Sequence, residues 1–410
     1  MVRSEQAALK LARTAFVLRV IVAFVTNFFF QQGLFAPDEL TYDGRGAALA
    51  SYWSGLIAVN PATTFQAESK GFYYIVAALY FPFGQFPILP KLLNAWVGSR
   101  AVLELFRITR LIGGSETAGL RAAKFMTYFP SQVLWSSLLI RDVWVQWVLL
   151  RLAREMAELK GRFIPSRIIS AGFLIWSLTQ FRSYLLYAAV GPFALSFVIG
   201  RSKDMVRNLF VGAALAIALV YLGAQGVGAG AGTESRIQTM DLVELQRLRA
   251  WSSSSAAADS GFASDADVST VGGALSLLPV GLLYFFLAPF PWQLGSLQQS
   301  LAVPEVLFFY TLVPGLLAGI MFLLRKRLAD SVGVLLVTIT VTFGYAIGQG
   351  NVGTLYRHKA QVIGFYYAFA AIGSENRRQK NIGRYAAYRP DSRVPLRGGP
   401  VAAYSSIRGA

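Results

Sequence analysis

Two short polar clusters stand at the ends of apolar stretches: Ala36-Pro37-Asp38-Glu39 after the first, and Tyr356-Arg357-His358-Lys359 near the last. Carboxylates can accept a proton, and arginine and lysine can hold an anion. Acid in one cluster and base in the other, both at a membrane face, suggest an enzyme for a lipid-linked anionic substrate. Arg141-Asp142 and Arg182 are further polar residues placed between apolar stretches. Arg141-Asp142 reads first as an ion pair closing a helix end. Arg182 is costly near a membrane unless paired, and its partner is either Asp142 or a lipid phosphate.

The elements that position these residues are helical spans. The chain is 55% hydrophobic and only 14% charged, with a mean hydropathy of +0.49, and apolar stretches recur from Thr14 to Ser374. These features predict an all-α polytopic membrane protein. The first stretch, 14–34, is long, lacks a small-residue cleavage pattern and runs directly into the Asp-Glu cluster, so it reads as a retained span and not a signal peptide. There is no cysteine, hence no disulfide and no thiolate site, and the single histidine excludes a multi-histidine metal centre.

The net charge of +17 is distributed in clusters. Arg3, Lys10 and Arg13 precede the first stretch; Arg107, Arg110, Arg121 and Lys124 bracket Gly113-Gly114; Arg151, Arg154, Lys160, Arg162 and Arg167 follow. Arg201-Lys203-Arg207, Arg325-Lys326-Arg327 and the tail after Glu375 complete the set. Basic loops stay on the cytoplasmic side, so this charge marks topology and not nucleic-acid binding. Placing every cluster inside gives about ten spans, at 14–34, 90–110, 118–138, 143–159, 168–180, 183–200, 209–224, 306–324, 332–348 and 362–373. Both termini then lie inside, and Arg182 falls at an outer turn. Two segments remain, 71–85 and 272–292. The first is short and carries Pro82 and Gly84; both read as juxtamembrane or re-entrant helices.

The predicted organisation is a membrane domain over 1–374, with outer loops at 35–87 and 225–305, followed by a disordered basic tail at 375–410 that binds anionic lipids. Within the first loop, 48–59 reads as an amphipathic helix on the membrane. The second is glycine-rich, then serine- and aspartate-rich around a helical segment at 241–251, the composition of a mobile lid or disorder. The glycine run at 223–232 lacks a following Lys-Ser or Lys-Thr, so it does not read as a phosphate-binding loop. No internal repeat is visible, which weighs against an inverted-repeat transporter.

An ordered set of short motifs carries a family resemblance. Pro37-Asp38-Glu39-Leu40-Thr41-Tyr42 follows the first span, and Lys91-Leu92-Leu93-Asn94 leads into 107–114. Ala118-Gly119-Leu120-Arg121-Ala122-Ala123, Pro130-Ser131 and Arg141-Asp142 come next. Together they resemble the membrane glycosyltransferases of the C-type fold, especially bacterial relatives of the protein O-mannosyltransferases and aminoarabinose transferases. The likeness covers about 14–200, and Gly350-Asn351-Val352-Gly353-Thr354 through Lys359 is similar to the end of exopolysaccharide-cluster proteins. The C-terminal half matches no acceptor-binding domain.

The resemblance implies transfer of a sugar from a polyprenyl-phosphate donor to a lipid-linked or cell-envelope glycan acceptor, at the outer face of a bacterial inner membrane. It makes Asp38 the general base, with Glu39 positioning it or taking its role, and Arg357 and Lys359 the holders of the leaving phosphate. Asp142 becomes a second-loop carboxylate, with Tyr42, Arg141, Arg182 and His358 also lining the substrate site. A divalent cation, magnesium or manganese, held by Asp38 and Asp142 is an open possibility. Each assignment has a plainer competitor. Asp38-Glu39 can be a solvated loop, and Arg357 to Lys359 an anchor snorkelling to headgroups. His358, between two cations, is expected to be a neutral hydrogen-bonded neighbour and not a catalyst. Two other functions fit in part: an O-antigen polymerase or ligase using Arg182 and Arg357 on a pyrophosphate donor, and a lipid-linked glycan flippase.

The cysteine-free chain allows the topology to be tested directly. Single cysteines at Ser69, Ser253 and Thr354 should label from outside intact cells, and one at Ser202 should not. Protection of Thr354→Cys alongside labelling of Ser69→Cys would place the two polar clusters on different faces and end the shared-site reading.

Overall fold

Backbone rules explain where the helices stop. Gly114, at φ +69°, closes one helix in the left-handed conformation that glycine adopts without strain, and the Ser115 hydroxyl starts the next by accepting from Ala118 N at 3.2 Å. Phe129 is extended (φ −65°, ψ 124°) because Pro130 follows it, so the apolar stretch expected as one span at 118–138 is cut in two.

A computed structural model describes residues 2–65, 70–161, 164–182, 184–199, 242–254, 261–290, 292 and 297–387. Among them the chain forms α-helices, one 3₁₀ turn at Pro61–Thr64 and no strand. The helices are α1 (Val2–Phe28), α2 (Asp38–Trp53), α3 (Lys70–Phe83), α4 (Ile88–Gly113), α5 (Glu116–Tyr128), α6 (Pro130–Trp135) and α7 (Asp142–Gly161). They continue with α8 (Pro165–Phe181), α9 (Tyr184–Val198), α10 (Leu242–Ser254), α11 (Val271–Leu287), α12 (Leu297–Lys326), α13 (Leu328–Gly348) and α14 (Val352–Ala387). The span at 209–224, the glycine run, Glu68, Arg162, Arg201-Lys203-Arg207, the labelling positions Ser69 and Ser202, and the tail from 388 onward lie outside the described residues.

Among the described residues, two helical segments, Ala302–Lys326 and Leu328–Gly348, are long and apolar enough to cross a membrane. Others of comparable length carry charges turned into the bundle, such as Arg19 on α1, Lys91 and Glu104 on α4, and Arg154 and Glu155 on α7, and these lower their mean hydropathy. The amphipathic helix expected at 48–59 runs instead over Asp38–Trp53. Asp38 and Glu39 are therefore the first turn of a helix and not a loop, a place where acids complement the exposed N–H groups. The segments expected to be re-entrant are α3 and α11, and α14 carries the start of the basic tail in helical form to Ala387.

Polar contacts sort the helix ends into two groups. At one end, Arg107 donates to Glu5 at 2.8 Å, Lys160 to the Ala329 carbonyl at 2.7 Å and Arg327 to the Leu111 carbonyl at 3.2 Å, while Arg121 lies 3.7 Å from Glu375. These contacts draw the described basic clusters together, and Glu104, Glu155 and Glu158 pair with Arg107, Arg151, Arg154 and Arg167 between them. The opposite end holds Asp38, Asp142, Arg182 and the α13–α14 connector.

Small residues bring α14 against α12. A Cβ at Gly319 would overlap the Phe369 carbonyl, and one at Gly373 would overlap Gly315, the close backbone approach typical of Gly-x-x-x-Gly helix pairs. Gly319→Ala should therefore force the pair apart at a cost of roughly 1–3 kcal/mol, read as a lower thermal midpoint. Gly344→Ala, where an added Cβ meets nothing within 4 Å, should leave the midpoint unchanged or slightly raised.

Candidate functional site

Four elements deliver one row of alternating charges. Asp38 opens α2; Asp142 opens α7; Arg182 caps the end of α8, its N–H on the Leu178 carbonyl at 2.7 Å; Arg357 lies in the second turn of α14. Asn94 on α4 aims the α7 start: its amide donates to the Leu138 and Ile140 carbonyls at 2.7 and 2.8 Å and its oxygen accepts from Trp144 at 2.7 Å. Asn351 caps α14 by accepting from Thr354 N at 3.1 Å.

Arg357 is the bridge. Its terminal nitrogen donates to Asp38 Oδ2 at 2.6 Å, and its Nε lies 3.3 Å from Asp142 Oδ2. Arg182 donates to Asp142 Oδ1 at 3.0 Å, and Gln361, one turn beyond Arg357, donates to the same oxygen. Gln361 is oriented in turn by the Tyr345 hydroxyl at 2.6 Å. The structure thus realises the structural option for Arg182, with Asp142 as partner. The two acids differ sharply in access: the Asp142 side chain is 2% exposed and the Asp38 side chain 47%. A buried carboxylate without cations would be strongly disfavoured, so Asp142 serves as the fixed anchor and Asp38 as the reachable partner.

Tyr42, buried one turn after Asp38 against Phe72, lies within electrostatic range of Asp38, Arg141, Asp142 and Arg357. Arg141 is also buried and acts on Asp142 and His358. Three arginines (Arg141, Arg182, Arg357) against two aspartates (Asp38, Asp142) leave a balance of one positive charge. That donor set suits an anion and not a cation. Asp38 and Asp142 are each engaged by guanidinium, and among the described residues no three carboxylates or imidazoles gather.

Two expected members, Glu39 and Lys359, stand apart from this row. Glu39, one residue and 100° further around α2, is buried against Lys91 at 3.4 Å and accepts from Leu139 N at 2.8 Å and Gly33 N at 3.3 Å. It ties α2 to α4 and the α6–α7 connector and does not accompany Asp38. Lys359, two residues past Arg357 and so on another side of α14, donates to the Phe286 carbonyl at 3.1 Å and sits 4.5 Å from the Phe309 ring. His358 is buried and stacked on Tyr345, its Nδ1 without a hydrogen-bond partner among the described residues. It lies within electrostatic range of Arg182, Arg357, Asp142 and Arg141 and so stays with the row.

Sequence reasoning missed Gln361, Tyr345 and a further buried acid, Glu305, which accepts from Ser131 N and Oγ at 2.6 and 2.5 Å beside Tyr356 and Lys359. The spacing of Gln361, four residues after Arg357, was the available signal for one of them. No family model matches the chain, and no curated protein matches it either.

The two aspartates should respond differently to amidation. Asp142→Asn leaves Arg182 and Arg357 facing a buried neutral group and should destabilise the protein by about 3–5 kcal/mol. Asp38→Asn removes a half-exposed partner and should change stability by about 1 kcal/mol or less. Thermal unfolding of the two purified variants compares them; equal losses would contradict the assignment of Asp142 as anchor.

Proposed function

We propose that this chain is a polytopic glycosyltransferase with the C-type architecture, crossing a bacterial inner (cytoplasmic) membrane about ten times. In this reading it moves a sugar from a polyprenyl-phosphate donor to a lipid-linked or envelope glycan acceptor on the outer, periplasmic side. The observation that carries the reading is the 2.6 Å contact between Arg357 and Asp38, residues 319 apart in sequence, at the bundle end opposite the basic clusters. A basic group at that end runs against the positive-inside trend and calls for an anionic partner.

The chemistry follows from the two sides of Arg357. Its Nε edge stays on Asp142, which holds the guanidinium in place. Its terminal nitrogens exchange Asp38 for the donor phosphate, which they match with a planar fork. Asp38, relieved of its cation, becomes the stronger proton acceptor. The acceptor hydroxyl oxygen then bonds to the anomeric carbon and its proton passes to Asp38. The bond from that carbon to the phosphate oxygen breaks, and its electron pair leaves on the polyprenyl phosphate, where the surplus positive charge of the site stabilises it. Asp38 later gives its proton to water.

Competing functions predict other outcomes. A flippase would bind the same headgroup but has no need of an acid beside Arg357. An O-antigen polymerase or ligase would draw on the convergence of Arg182 and Arg357 at Asp142, and would prefer a polyprenyl pyrophosphate over a monophosphate.

In nanodiscs with a polyprenyl-phosphate sugar, Asp38→Asn should lower turnover by about 100-fold or more while donor binding persists. Arg357→Lys, lacking the fork, should bind a polyprenyl-phosphate analogue roughly thirtyfold more weakly, on the order of 2 kcal/mol. Arg378→Lys, on the far part of α14, serves as control. Equal affinities in wild type and both lysine variants would make Arg357 a lipid anchor.

A further inference from the structure

A further arginine, outside the charge row, holds the connector from which Arg357 is presented. Arg249 on α10 is 1% exposed, and its hydrogen-bond acceptors are all backbone carbonyls. One terminal nitrogen donates to Ile347 and Gln349 at 3.2 and 2.6 Å, at the end of α13. The other donates to Phe262 and Ala263 at 2.9 and 3.0 Å, and the guanidinium lies 5.1 Å from the Phe262 ring. The last carbonyls of a helix have no partner within it, and a cation is favoured there. Arg249 meets both needs for α13 and at the same time fastens the segment around Phe262 to it.

The same segment grips the connector directly. Gly350 N donates to the Ser252 hydroxyl at 2.9 Å, Phe262 N donates to the Gly350 carbonyl at 2.9 Å, and Gly261 bridges Asn351. Gly350 itself has little room, since an added Cβ would stand 3.0 Å from Ser253 and 3.1 Å from the Arg249 carbonyl. Asn351 is the next residue, and it caps α14. From that cap to Arg357 is about one and two-thirds turns of helix, so the height and rotation of the cap determine where the guanidinium arrives. Arg357 must meet Asp38 and Asp142 together, and ion-paired hydrogen bonds tolerate only a few tenths of an ångström.

We propose that Arg249 is a positioning residue for Arg357, acting through the 349–351 connector, so that the outer stretches 242–254 and 261–263 set the presentation of the anion-binding arginine. This rests on the reading of Arg357 as the donor-phosphate ligand, but its mechanical part does not. An outer segment whose composition predicted a mobile lid is, at 242–254 and 261–273, a clasp on the site's scaffold.

Two measurements separate the parts. In the cysteine-free chain, a single cysteine at Thr354 reports the first turn of α14. Arg249→Lys keeps the charge but cannot reach four carbonyls, so it should speed labelling of Thr354→Cys at least tenfold and weaken the polyprenyl-phosphate analogue about tenfold. In the Arg357→Lys background the same change should add little further loss of affinity, because both act through one contact; full additivity would mean a separate structural effect and would overturn the proposal. Unchanged labelling, or faster labelling with unchanged affinity, would overturn it as well. Should Arg249→Lys fail to fold, Ser252→Ala removes one bond to the same connector and should shift both readouts in the same direction by a few-fold; no shift in either counts against the clasp. If the wild type does not bind the analogue, the proposed function falls, and the labelling rate alone decides whether Arg249 holds α14.

Discussion

A carboxylate enclosed in a helix bundle needs cations or hydrogen-bond donors pressed against it, and Asp142 imposes that condition on everything around it. Arg182 must end α8 at its side, and Arg357 must arrive from α14. Gln361 fills the remaining position on Oδ1, and Tyr345 orients Gln361. Asn94 sets the α7 start from which Asp142 projects. Helices far apart in sequence are thus registered against a single side chain. Asp38, largely reachable from outside, is the member of the row able to change partner.

The same principle recurs away from the site. Arg19, fully buried on α1, donates to the Ser136 hydroxyl at 2.6 Å and to the Met126 carbonyl at 3.0 Å, beside the break that Pro130 introduces. Glu305 is satisfied by Ser131, and Glu39 by Lys91 and two backbone N–H groups. These interior polar groups close gaps that a helix end or a chain break opens. This is why helices of a strongly hydrophobic chain can carry so many charges: those charges face neighbouring helices and not the outside of the bundle.

Several elements were legible before any coordinates. The helical class, the ends of α7, α8, α9 and α13 to within a few residues, and the convergence of the described basic clusters follow from apolar stretches, prolines, glycines and charge runs, which are local properties. The pairing of Arg182 with Asp142 was one of two stated options, because an arginine between short apolar segments needs an anion. Glu39 and Lys359 stand away from the row for a geometric reason. Successive residues on a helix point 100° apart, so Asp38 and Glu39, or Arg357 and Lys359, serve different surroundings although they are close in sequence.

The sequence by itself determined that this chain is helical and apolar, that its basic residues come in clusters, and that acids and arginines stand near the ends of apolar stretches. Which of those residues meet was decided only by the tertiary structure. The Arg357–Asp38 contact spans 319 positions, and Arg249 meets the α13–α14 connector across about a hundred. Such contacts depend on the rotation and height of each helix within the bundle, and these are set jointly by glycine contacts, buried ion pairs and caps on several helices at once. No local pattern encodes that sum.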